Sequence, residues 1–103
     1  MASPPPRQAI SIDSALAANE TLGRLSERLR ASQACFELIA PLLPMALHAQ
    51  LRPGPIDDEA WTLLAPNGAV SAKLRQLLPA LEARLIGAGL PRRIIRVRIL
   101  TSL

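Results

Sequence analysis

The sequence predicts a small α+β domain with the element order α-α-β-β-α-β. Three stretches carry apolar residues at the three- and four-residue spacing of helices, and three stretches carry the alternation of strands. A chain of 103 residues can build one hydrophobic core. We therefore expect one domain over residues 12–103, in which a three-stranded mixed sheet is covered by helices on one face.

The first eleven residues predict a disordered tail. They include three consecutive prolines and no apolar stretch behind a basic start, which argues against a secretory signal. No apolar run approaches the roughly 20 residues needed to cross a bilayer. A single cysteine fits a reducing compartment. These features favour a cytoplasmic protein that does not associate with membranes.

Helical periodicity begins directly after the tail. Asp13 can cap a helix, and apolar residues then recur on one face. They are Ile12, Leu16, Leu22, Leu25 and Leu29. We expect a helix over residues 13–31, a break at Ser32, and a second helical segment that Pro41 and Pro44 end.

Two alternating segments predict a β-hairpin. Apolar and polar residues alternate from Leu47 to Arg52, which indicates a half-buried strand. Residues 53–55, Pro-Gly-Pro, break this pattern, and Asp57 and Asp58 then supply an acidic turn. The second strand is expected over Glu59 to Ala65 and carries Trp61.

The strongest helical pattern follows the hairpin. Asn67 is placed to cap this helix, and aliphatic residues recur at helical spacing as far as Leu85. Pro79 lies inside the pattern and predicts either a kink or two short helices. Gly87 and Gly89 end the segment. A right-handed crossover then returns the chain to the sheet.

Basic residues concentrate in the last third of the chain and predict an anion-binding surface there. The chain has a net charge of +4, yet residues 68–103 contain seven Lys and Arg against one acid. In the strand expected over Arg92 to Thr101, Ile95 and Val97 face one side and arginines face the other. The candidate nucleic-acid-binding residues are Lys73, Arg75, Arg92, Arg93, Arg96 and Arg98. The alternative is a solvated sheet face or a charged guard on an edge strand.

The sequence contains no recognisable catalytic or metal-binding constellation. His48 is the sole histidine and Cys35 the sole cysteine, so a metal site or catalytic triad built on either residue lacks partners. Cys35 and Trp61 are expected in the core, although Trp61 could instead stack on a base or contact a partner. The acidic run 57–59 predicts a solvated turn. We expect a binding protein without a cofactor or metal rather than an enzyme.

Several short motifs together resemble those of a known family. They are Leu42-Leu43-Pro44, Leu47-His48, Trp61-Thr62-Leu63-Leu64, the run from Asn67 to Pro79, and Ile95-Arg96-Val97. This pattern is similar to the N-terminal domain of the DciA family of bacterial replicative-helicase loaders, over nearly all of the chain after the tail. The resemblance implies a KH-like fold, binding to the replicative helicase DnaB, and contact with single-stranded or duplex DNA.

Two other functions fit the same sequence. One is a protein-interaction or assembly module whose arginines do not bind nucleic acid. The other is a KH-like RNA-binding protein, although the Gly-x-x-Gly spacing with which KH domains clamp a nucleic-acid backbone does not occur in the sequence.

Overall fold

The computed structural model describes the backbone of residues 12–100 and the side chains of residues 19–100. The elements are α1 (Ile12–Ile39), a 3-10 turn (Ala40–Leu42), α2 (Met45–His48), β1 (Arg52–Ile56), β2 (Ala60–Ala65), α3 (Gly68–Gly87) and β3 (Ile94–Ile99). The predicted α+β class and element order are confirmed. The predicted tail, residues 1–11, lies outside the described residues. So do residues 101–103 of the predicted domain, the first of which is the predicted end of the last strand.

The three strands form one mixed sheet in the order β1-β2-β3. β1 pairs with β2 antiparallel. β2 pairs with β3 parallel, because α3 returns the chain to the end of the sheet at which β2 begins. Trp61 in the central strand lies opposite Ile56 on one side and Ile95 on the other. All three side chains are buried beneath the helices, so the helices cover this face of the sheet.

Ser32 connects α1 to this covered face instead of ending the helix. Its Oγ donates a hydrogen bond to the Gly54 carbonyl at 2.6 Å and accepts one from Trp61 Nε1 at 2.9 Å. The expected break at Ser32 is therefore wrong, and α1 continues to Ile39. The expected core position of Trp61 is confirmed, since the side chain is 0% exposed.

The first predicted strand is misplaced. Leu47 and His48 belong to α2, whose first turn closes with hydrogen bonds from both amides to the Pro44 carbonyl. The observed strand β1 begins at Arg52 and runs through the Pro-Gly-Pro segment that was expected to break it. Because β1 is an edge strand, prolines without an N–H group are tolerated there.

α3 begins as predicted but is not divided at Pro79. Asn67 Oδ1 accepts a hydrogen bond from the Val70 amide at 2.9 Å and caps the helix. The helix then runs unbroken to Gly87, so of the two predicted alternatives at Pro79, a kink or two short helices, the second is wrong. Burial of Leu74 and Leu81 on either side of Pro79 anchors both halves in one core and offsets the hydrogen bond that proline cannot make.

The first half of α1 extends beyond the core. Every side chain from residue 19 to residue 30 is exposed, including those of Leu22, Leu25 and Leu29. The predicted helical periodicity is therefore correct, but this part of the apolar stripe has no covering element in the described chain. None of the described helices is both long enough and apolar enough to span a membrane.

Candidate nucleic-acid interface

The candidate interface is the face of the sheet opposite the helices. The parallel register places Thr62 beside Arg96 and Leu64 beside Arg98. Directly paired residues on neighbouring strands project from the same face of a sheet. Both arginines are exposed, while Thr62 and Leu64 are half-buried. The alternation predicted for the last strand is thus present, with Ile95 buried on the covered face and the two guanidinium groups on the open face.

Arg52 joins this face, and sequence reasoning did not identify it. Arg52 pairs with Leu64 on the other side of the central strand, so Arg52, Leu64 and Arg98 form one row across the sheet. The flanking Cα positions lie about 10 Å apart, since neighbouring strands are separated by about 4.8 Å. Only the register reveals this row, because Arg52 lies 46 residues before Arg98 in the sequence.

The geometry of the arginines suits a phosphate chain. Arg96 and Arg98 are two residues apart on one strand, which separates them by about 6.6 Å along the strand. Arg52 adds a third cation on the other edge strand. The side chains between these cations are small or aliphatic. Because they are shorter than arginine, a polyanion can approach all three guanidinium groups.

The acidic turn lies beside the start of β3 and reduces the net positive charge there. Arg93 Nε donates a hydrogen bond to the Asp57 carbonyl at 2.7 Å and so attaches the start of β3 to the turn. Asp57 Oδ1 accepts hydrogen bonds from the amides of Glu59 and Ala60, each at 2.8 Å. These bonds lower the pKa of the Asp57 carboxyl, with a smaller contribution from the charge of Arg96.

The contacts of the acidic turn divide the predicted basic residues of β3 into two groups. Arg93 serves a structural contact, and the carboxylate of Asp57 offsets part of the positive field at the start of β3. Arg98 and Arg52 lie toward the other end of the sheet, where β3 ends and β1 begins. On the open face, the row that contains Arg52 and Arg98 therefore lies farther from Asp57 than Arg96 does. Arg92, just before β3, is exposed.

Lys73 and Arg75 do not belong to this face. Both are exposed on α3, which covers the opposite side of the sheet. Lys73 lines a separate groove with Leu47, Gln50 and Leu77. One phosphate cannot contact these residues and the arginines of β3 together, because the sheet lies between them.

The open face offers no aromatic platform. Trp61 is buried beneath the helices, and Phe36 stacks on His48 with ring centroids 4.7 Å apart. Without aromatic rings, a nucleic acid on this face would be held through its phosphates and not through base stacking. This surface favours binding with little dependence on sequence.

The described part of the chain contains no metal site, and its cysteine is buried. No three His, Cys, Asp or Glu side chains come together there in a metal-binding arrangement. Cys35 is buried, and this burial raises the pKa of its thiol although the charge of Arg93 opposes the shift. Its predicted place as a small core residue is confirmed.

No protein-family model matches the chain, and no curated protein matches it at a significant level.

Proposed function

We propose that this protein is a DNA-replication accessory factor that binds the replicative helicase DnaB and assists its loading on DNA. In this proposal the open face of the sheet contacts the phosphate backbone of single-stranded or duplex DNA. Helicase binding is inferred from the resemblance of the sequence motifs to the DciA family. The α+β element order agrees with what that resemblance implies.

The row of exposed arginines is the observation that supports DNA contact. Arg52 and Arg98 lie on either side of Leu64, and Arg96 lies two residues before Arg98 on the same strand. Exposed guanidinium groups bind phosphate oxygens readily and remain charged at all physiological pH values. The alternative, in which arginines on the two edge strands only prevent association of sheet edges, predicts no salt-dependent DNA binding in the titration described below.

Retention of the helicase tests the first half of the proposal. We expect immobilised protein to retain purified DnaB at low ionic strength, with the fold verified by the emission of buried Trp61. An immobilised basic protein of similar size and charge is the control, because it measures non-specific attraction. Equal retention by both proteins, or no retention by either, would refute helicase binding.

The salt dependence of DNA binding tests the proposed contact between the open face and DNA. For phosphate contact, the logarithm of the DNA-binding constant should fall with the logarithm of salt concentration by about 0.7 to 0.9 per phosphate neutralised. Replacing Arg96 and Arg98 with alanine should flatten this slope by about 1.5. The measurement is a fluorescence anisotropy titration with single-stranded DNA, duplex DNA and RNA at several salt concentrations.

Lys73→Ala with Arg75→Ala is the matched control for this titration. It removes the same charge from the helix-covered side of the molecule. We expect its slope to stay close to that of the unmodified protein. If the two double variants behave alike, only total charge matters and the open face is not the binding surface.

The main alternative is a protein-interaction module without nucleic-acid binding. The exposed leucines of α1 favour a protein partner. This alternative predicts no measurable DNA binding in the same titration. Preferential binding of RNA over both forms of DNA would instead support the KH-like RNA-binding alternative.

A further inference from the structure

The apolar stripe of α1 is continuous, but only half of it is covered. Positions 22, 25, 29, 32, 36 and 39 follow one alternating three- and four-residue spacing along the helix. Ser32 and Ile39 are buried against the sheet, and Phe36 is half-buried. Leu22, Leu25 and Leu29 are 63%, 53% and 66% exposed. The helix thus continues beyond the core, and its exposed leucines follow the same spacing as its buried residues.

A groove extends this exposed stripe toward the sheet. Its volume is about 510 Å³, and it lies between α1 and the edge strand β1. The lining is largely apolar and includes Leu25, Leu29, Pro53, Pro55, Ile56 and Leu64. The stripe and groove together offer one elongated apolar surface, which we call the α1 groove.

An added β-strand is a poor occupant for the α1 groove. Strand addition needs free N–H and C=O groups along the edge of the sheet. Pro53 and Pro55 have no N–H group, and the carbonyl of Gly54 already accepts a hydrogen bond from Ser32. The shape of the surface instead suits a helix that places apolar residues along the leucines.

A second copy of this chain is also disfavoured. Parallel pairing of two α1 helices would bring the two sheets into the same space, because each sheet packs on the same face of its own helix. If two copies of α1 packed antiparallel about a two-fold axis, each long edge of the apolar stripe would lie against the same edge of the stripe in the other copy. Arg24 and Arg28 lie on one edge, so such a pair would place four arginines together.

We propose that the α1 groove binds an amphipathic helix of a partner protein whose apolar residues are flanked by Asp or Glu. The leucines and the proline-lined groove take the apolar residues, and Arg24 and Arg28 pair with the acidic flank. Among the described residues, Arg28 is the one charged residue in the lining of the α1 groove, and Arg24 lies one helical turn before it. The adjacent cavity is mixed in charge, because Glu27, Asp57 and Asp58 line it together with Arg24, Arg28 and Arg93. This inference does not require the partner to be the helicase.

A synthetic helix of about 18 residues tests the proposal. The labelled peptide carries leucine at alternating three- and four-residue spacing and glutamate on the flanks, and a second peptide has every glutamate replaced by lysine. Binding to the full chain is measured by fluorescence anisotropy. We expect the acidic peptide to bind, and we expect its affinity to fall with added salt and to exceed that of the basic peptide by about tenfold or more.

Two pairs of substitutions locate the binding surface. Leu25→Gln with Leu29→Gln keeps helix propensity while removing apolar contact, and should weaken binding of the acidic peptide by about tenfold or more. Met45→Gln with Ile86→Gln removes exposed apolar side chains elsewhere and should leave the affinity unchanged. Circular dichroism verifies that both variants keep the helical content of the original protein.

Three outcomes would overturn the proposal. They are the absence of acidic-peptide binding, equal affinity for the basic peptide, and equal affinity of the two double variants for the acidic peptide. Sedimentation of the free chain is a separate check. A dimer that Leu25→Gln with Leu29→Gln dissociates would assign the α1 groove to self-association instead. None of these measurements involves DnaB or DNA, so their failure is distinct from failure of the proposed function.

Discussion

At the scale of single residues, the side chain of Ser32 joins α1 to two strands of the sheet. One hydroxyl group satisfies both the indole N–H of Trp61 and the carbonyl of Gly54, which belong to two different strands. Both partners lie in or beside the core, where an unpaired polar group loses its hydration without compensation. The same contacts fix the angle at which α1 crosses the sheet.

Ser32→Ala should therefore destabilise the protein by about 1–3 kcal/mol, because the N–H of Trp61 and the carbonyl of Gly54 lose their shared partner. Urea unfolding followed by Trp61 emission measures the change in the free energy of unfolding. Ser26→Ala is the control, since Ser26 is exposed on the same helix and alanine has the higher helix propensity. Equal stability of the two variants would show that the hydrogen bonds of Ser32 contribute nothing net.

At the scale of elements, sequence reasoning succeeded where spacing alone determines structure. α3 and β3 were predicted because their apolar periods, 3.6 and 2, are unambiguous, and the Asn67 cap followed from local chemistry. β1 was missed because its Pro-Gly-Pro sequence contradicts strand propensity, and only its place at the edge of the sheet makes it possible. The buried Leu47 and Leu51 are four residues apart and fit a helical turn as well as a strand.

The candidate interface was predictable only in part for a related reason. Arg96 and Arg98 could be assigned to one exposed face because they alternate within a single strand. Arg52 required the register of two strand pairs, which sequence spacing does not contain. Lys73 was grouped with the arginines by its charge, whereas the crossover helix places it on the other side of the sheet.

At the scale of the whole molecule, stability is distributed unevenly. The core lies between the sheet, α3 and the second half of α1, and it includes the fully buried Trp61, Leu63 and Leu74. Residues 19–30 of α1 contribute no buried side chain to it. Since isolated helices shorter than about 12–15 residues are marginal in water, this part of α1 depends on its continuity with the anchored part.

Amide hydrogen exchange should reveal this division within one continuous helix. We expect low protection for the amides of residues 19–28 and high protection for those of residues 33–39, because the anchored turns open only when the core opens. The amides of Trp61 and Leu63 should be among the slowest to exchange. Adding the acidic helix described above should slow exchange in residues 19–28 selectively, since a bound partner would cover the exposed leucines. Uniform protection along α1 in the free monomer would mean that this part of the helix is stable without any partner, and the energetic reason for a docking surface there would be lost.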